Sequence, residues 1–222
     1  NLRRGLRNIS DYINNTFIVV GKKVPFLTSS DGVSWTSLIT STDTFYGITY
    51  GNNTYFNVSF NGNINTSPEG TYWTSRTSGT PYPLFHVTFG NGNFVTVGYV
   101  GKIITSSDTG TTWTSRTSGT TNNLNGISYG NSIFVIVGGG GNILTSSDGT
   151  SWTSRTSGTT NNLNGISYGN STFVTVGSGG TILTSSDGTS WTSRTSGTST
   201  VLNDVTIGNS TIVTVGDGGT IL

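Results

Sequence analysis

Residues 163–198 read LNGISYGNSTFVTVGSGGTILTSSDGTSWTSRTSGT, and this stretch decides the fold. It holds four short apolar runs separated by turn-forming residues. Residues 163–168 close on Gly169-Asn170. Residues 172–176 are rich in β-branched side chains and close on the glycines of 177–180. Residues 181–185 form the third run, and the fourth starts at Trp191 and extends to about Ser196. No turn is long enough for a crossover helix, so neighbouring runs pair antiparallel. One unit is a four-stranded meander, with strands a to d in chain order.

Moving outward, residues 124–159 repeat the stretch with few changes, more distant copies begin at Leu84, Phe45 and Leu6, and a truncated copy begins at Leu202. Trp35, Trp73, Trp113, Trp152 and Trp191 mark the period, at steps of 38, 40, 39 and 39 residues. A lone sheet with two apolar faces needs cover on both, and radial packing of successive sheets supplies it. The expected fold is all-β: one β-propeller domain over 1–222, with six blades of four antiparallel strands. Five complete blades span approximately 6–43, 44–82, 83–122, 123–161 and 162–200. A composite closing blade joins 201–222 to 1–4, with Asn1–Arg4 as outer strand. A missing outer strand, or one given by another molecule through strand addition to form an oligomer, is the alternative.

The c–d turn carries the strongest motif. The third unit reads Ser106-Ser107-Asp108-Thr109-Gly110-Thr111-Thr112-Trp113. Shorter forms hold Asp31 before Trp35, Asp148 before Trp152 and Asp187 before Trp191, and the second unit has drifted to Glu69 before Trp73. An Asp here accepts turn amides, Gly supplies positive φ, and Trp is expected to lie buried between adjacent sheets. These turns resemble the Asp-box of bacterial neuraminidase-type repeats. The wider unit, VG-x-GG-TIL-T-SSDG-TSW-TSRTSGT, is similar to the repeat of the photosystem II stability and assembly factor family and to bacterial surface propellers. The first resemblance implies sialoside hydrolysis, the second a propeller that holds other proteins. Neither activity follows from the repeat alone.

Composition removes several function classes. Only 9% of the 222 residues are charged and the net charge is +1, too little field to steer nucleic acid. There is no Cys, hence no disulfide or thiolate chemistry, and no apolar run is long enough to span a membrane. Sialidase chemistry needs an arginine cluster, a Tyr–Glu pair and an Asp acid. Glu69 is the only Glu, and Arg76, Arg116, Arg155 and Arg194 repeat at one phase on strand d, spread over four blades. His86 is the only His, without an adjacent carboxylate. The expectation is no enzyme, no metal site and no cofactor.

Binding remains. The d–a and b–c turns share one face of a propeller. In units four and five that face carries Gly, Ser, Thr and Asn; in units one to three it carries Lys22, Lys23, Tyr46, Phe60, Asn61, Tyr82, Phe85, His86, Tyr99 and Lys102. Aromatic and basic residues on loops are what recognition surfaces use. The expected function is a non-catalytic binding or structural module, extracellular or surface-displayed, with a protein partner; a glycan-binding lectin is the alternative.

Overall fold

The computed structural model describes residues 9–13, 16–21, 26–39 and 43–222. The first sheet is β1 (Ile9–Ile13), β2 (Thr16–Val20), β3 (Phe26–Ser29) and β4 (Thr36–Ile39). The second is β5 (Phe45–Gly51), β6 (Thr54–Ser59), β7 (Ile64–Ser67) and β8 (Thr74–Arg76), and the third β9 (Leu84–Gly90), β10 (Asn93–Gly98), β11 (Ile103–Ser106) and β12 (Thr114–Arg116). The fourth is β13 (Leu124–Gly130), β14 (Ile133–Gly138), β15 (Ile143–Ser146) and β16 (Thr153–Arg155); the fifth is β17 (Leu163–Gly169), β18 (Thr172–Gly177), β19 (Ile182–Ser185) and β20 (Thr192–Arg194). The sixth pairs β21 (Leu202–Gly208) with β22 (Thr211–Gly216) and adds a bridge between Val215 and Ile221. In sheets two, four and five the strands pair antiparallel in the order a-b-c-d.

Strands a and b join through two-residue hairpins such as Asn170-Ser171, at φ 49° and 58°. Positive φ at both central residues is the hairpin geometry that matches the right-handed twist of the strands. The turn therefore lies one residue beyond the expected Gly169-Asn170, and Gly169 ends the strand. Its role is close approach: a Cβ there would lie 2.7 Å from Ile207 Cγ2 of the next inner strand. Likewise a Cβ on Gly51 would lie 2.1 Å from the Phe89 ring, and one on Gly130 2.1 Å from the Tyr168 ring.

Two compact units divide the chain. The first comprises Asn1–Thr96 with Ile104–Ser115, the second Val97–Ile103 with Arg116–Leu222. Within the first, Ile18, Val20, Phe26, Phe45, Ile48 and Tyr55 fill the layer between sheets one and two. Phe56, Val58, Leu84, Val87 and Phe94 fill the next layer. Within the second, Val135, Val137, Leu163, Ile166 and Phe173 join sheets four and five, while Val174, Val176, Leu202 and Val205 join sheets five and six. Phe173 thus faces one neighbour and Val174 the other. Two buried faces explain why strand b carries apolar side chains on both of them, and each such buried side chain stabilises by about 1.5–3 kcal/mol.

Sheets stacked face to face with their a strands adjoining are the blades of a β-propeller. The expected outer strand Asn1–Arg4, and Lys22 and Lys23, lie outside the described residues. Among those residues, no helix is long and apolar enough to cross a membrane.

Candidate functional site

The c–d turns have the same internal chemistry in most repeats. Ser185 Oγ donates to Asp187 Oδ1 at 2.9 Å and accepts the Gly188 N–H at 2.8 Å. Asp187 Oδ1 also accepts the amides of Thr189 and Ser190, each at 2.8 Å. Asp31, Asp108 and Asp148 occupy equivalent networks. Donors aimed at the carboxylate favour its charged form. The Ser34 and Val33 amides hold Asp31 at about 2. The Thr150 hydroxyl and the Ser151 and Thr150 amides hold Asp148 well below the usual carboxylate range, and Asp108 and Asp187 are depressed in the same way. In the drifted second repeat Ser67 Oγ still accepts the Gly70 amide at 2.8 Å, while Glu69 points to solvent as an exposed residue.

The tryptophans correct one expectation. Trp73, Trp113, Trp152 and Trp191 are half-buried and Trp35 is 40% exposed. The ring lies over the outer part of the inter-sheet layer, where it is wet on one side: Trp73 stacks on Phe26 of the preceding sheet at 4.8 Å, and Trp113 meets Phe56 edge-on at 6.3 Å. Trp73, Trp113 and Trp191 donate Nε1–H to the turn glycine carbonyl at 3.0–3.1 Å, whereas Trp152 Nε1 is buried without a partner. The carboxylates of these turns do not converge. Among the described residues no three His, Cys, Asp or Glu side chains gather as a metal site would require. Nor do the strand d arginines: Arg76, Arg155 and Arg194 each donate Nε–H to a Thr on their own strand c, at 3.0, 2.8 and 2.8 Å.

The aromatics of the first unit do come together, although Tyr46 and Phe85 lie on strands and not on the expected loops. Tyr46, the second residue of β5, meets Phe85 of β9 edge-on at 5.6 Å and Phe60 of the b–c turn at 6.4 Å. Gly62 sits so close to the strand d-to-a connection that a Cβ would lie 2.3 Å from the Thr80 carbonyl and 2.9 Å from that of Tyr82. That contact sets the b–c turn beside Tyr82. Phe60 is 48% exposed and Tyr82 47%, while Phe85 is buried beneath. Asp43 binds the turn from the side, accepting Asn61 Nδ2–H at 3.1 Å and Asn63 Nδ2–H at 3.0 Å. His86 is half-buried on β9, and its carbonyl accepts the Thr96 hydroxyl at 2.9 Å. Tyr99 and Lys102 belong to the other unit, on the b–c turn of the third sheet.

Sequence reasoning missed Asp43 and Asn63. Asp43 stands two residues before the first residue of strand a, the phase held by Asn122 and Asn161 in later repeats, so a charge replacing an amide was the available signal. It also missed Tyr72, fully on the surface at the second c–d turn.

No family model matches the chain, and no curated protein sequence matches it. Solved structures do. A structure of YCF48 bound to D1 peptide is 18% identical, with a TM-score of 0.72 over 100% of this chain and 81% of that one. YCF48 from Cyanidioschyzon merolae is 16% identical, with a TM-score of 0.72 over 96% and 80%. A nidogen/laminin complex gives 12% identity and a TM-score of 0.67 over 90% and 85%. Likeness at this identity speaks for architecture alone, and together with the stacked antiparallel sheets it establishes that the chain is a β-propeller.

Proposed function

We propose that this propeller is a non-catalytic binding module that acts through protein contacts, with the aromatic face of the second repeat as its recognition surface. The observation that carries this reading is the half-exposed pair Phe60 and Tyr82, backed by Tyr46 and Phe85. Exposed aromatics on a turn braced by Asp43 are rigid anchors of the kind that dominate binding energy. Cognate turns in the fourth and fifth repeats, Gly139–Gly141 and Ser178–Gly180, offer nothing comparable. Two of the similar structures are of propellers captured with a peptide or a protein partner, which supports the same class of function here. Surface display or an extracellular location belongs to this proposal, as does membership of the Asp-box repeats.

The test is selection of a displayed random-peptide library on immobilised protein. Enrichment should occur on the wild type and vanish on Phe60→Ala with Tyr82→Ala, the melting temperature being unchanged. Equal enrichment on both proteins would remove this surface from the argument. A second reading has one observation behind it: Asp43, Asn61 and Asn63 beside Phe60 pair hydrogen-bonding groups with an aromatic platform, as sugar sites do. A glycan array probed with wild type and Tyr82→Ala separates the two.

A further inference from the structure

The b–c turn of the third sheet, Tyr99–Gly101, departs from its counterparts. Its middle residue, Val100, lies at φ 52°, ψ 48°. The same position is Gly140, Gly179 and Gly218 in later repeats, at φ 66°, 66° and 65°. A β-branched side chain in the left-handed region is strained, and such outliers persist where the surroundings over-determine them. Burial is not the reason, because Val100 is 44% exposed and Tyr99 41%. The turn keeps the shared geometry: Asn123 Oδ1 accepts the Val100 amide at 3.1 Å, as Asn162 Oδ1 accepts the Gly140 amide at 2.9 Å.

A groove runs between this turn and the strand d-to-a loop, lined by Val100, Gly101, Lys102, Arg116 and residues 117–121. The same groove recurs with Gly140, Asn142 and Arg155, and again with Gly179, Thr181 and Arg194. All three hold one strand d arginine and no acidic residue. Of these, the third-repeat groove alone adds a second cation, Lys102 at the phase of Asn142 and Thr181, and an apolar lip in place of glycine. In a chain whose net charge is +1, two half-buried cations in one acid-free groove are a local concentration of charge.

We propose that this groove binds an acidic peptide segment of a partner protein. Its carboxylate sits between Lys102 and Arg116, and a neighbouring apolar side chain rests on Val100 and Tyr99. A guanidinium offers a carboxylate a planar fork of donors, and an ammonium beside it adds a point charge. The strained Val100 then has a use, since its side chain gives the groove the apolar wall that glycine cannot. This site stands apart from the aromatic face of the second repeat, and either can fail alone.

A labelled decapeptide alternating Leu and Glu is titrated by fluorescence anisotropy, beside the same peptide with Gln for Glu. The Glu peptide should bind at least about tenfold tighter, the ratio one lost charge pair typically brings, and should weaken as salt rises. Lys102→Asn and Val100→Gly, which install the fourth repeat's residues, should each weaken it with the melting temperature held or raised. Gly140→Val with Asn142→Lys should create a second site, seen as doubled stoichiometry, and this gain remains readable if a loss variant misfolds. Equal binding of the Gln peptide, no effect of Lys102→Asn in folded protein, or displacement by inorganic phosphate as effective as by unlabelled Glu peptide would overturn the proposal.

Discussion

Replacing Gly188 with Ala tests whether the c–d turn rests on the preceding sheet. Gly188 has φ +71°, and an added Cβ would lie 2.6 Å from Ile133 Cδ1 and 2.8 Å from Val135 Cγ2. Gly197 is the internal control, with φ +75° and nothing within 4 Å of its Cβ position. Both changes put a side chain in the left-handed region, costing about 1–2 kcal/mol, and both recover a few tenths to about 1 kcal/mol because Ala has fewer unfolded conformations. Gly197→Ala should therefore cost about 1 kcal/mol. Gly188→Ala also overpacks. The atoms it meets are methyl ends that can retreat, so the extra cost belongs near the lower part of the 1–3 kcal/mol range, giving about 2–3 kcal/mol in all. In urea titrations read by tryptophan fluorescence, that difference moves the midpoint by roughly half a molar to one molar, given slopes of about 1–3 kcal/mol/M. Equal midpoints for the two variants would mean that the turn does not bear on β14, and the inter-sheet role of these turns would fall.

Trp191→Ala should cost about 2 kcal/mol, below the roughly 3–5 kcal/mol of a fully buried aromatic because the ring is half-buried; a cost near 5 kcal/mol in the same titration would mean the ring is dry. Asp148→Ala should cost about 1 kcal/mol through the amides left without their acceptor, measured by urea midpoint against the wild type. Val100→Gly should raise the melting temperature slightly, as about 1–2 kcal/mol of left-handed strain outweighs about 0.5–1 kcal/mol of added chain entropy; a fall in calorimetry would refute the strain. On acidification, carboxylates depressed in the folded state contribute stability that is whole above the unfolded value near 3.9 and is lost as pH falls toward the folded values, about 2 for Asp31 and lower for the other three. Urea midpoints should therefore drop between pH 5 and pH 2, and Asp148→Asn should lessen the drop.

The blade was legible because its strands are short, its turns are glycine-punctuated and its period is repeated. Strand order, the antiparallel pairing and the place of the c–d turn all follow from residues 163–198. What stayed hidden was any feature that depends on the neighbouring sheet. Gly169 reads as a turn residue, and only the proximity of Ile207 shows that it is small to let two inner strands meet. Gly188 has the same double duty. The tryptophans read as core because of their size, yet a single ring at the outer edge of a blade has a partner on one side and water on the other. The site was half legible. Tyr46, Phe60, Tyr82 and Phe85 stood out as departures from the repeat, but their convergence with Asp43 and Asn63 needed the approach of Gly62 to the Thr80–Tyr82 connection.

Departure from the repeat is not by itself a sign of function, and the second sheet shows why. Asn57 stands at the phase of Thr96, Thr175 and Thr214, whose hydroxyls donate to inner-strand carbonyls at 2.7–2.9 Å. Asn57 cannot reproduce that bond with the same reach, and Asn65 has replaced the Ile or Leu of strand c to donate to its Oδ1 at 2.9 Å. Asn57 is buried and Asn65 half-buried, one change answers the other, and the residual cost is an unpartnered Nδ2 on Asn57. That is drift compensated inside the sheet. Phe60 and Val100 differ in kind: about half of the Phe60 ring stays exposed even with Tyr46 beside it, and Val100 is both exposed and strained, so neither change is absorbed inside a sheet. Among copies of one unit, a departure that its neighbours compensate concerns packing. One whose cost stays uncompensated at the surface calls for a partner outside the chain, and on that ground Phe60 and Val100, not Asn57, mark where to test for binding.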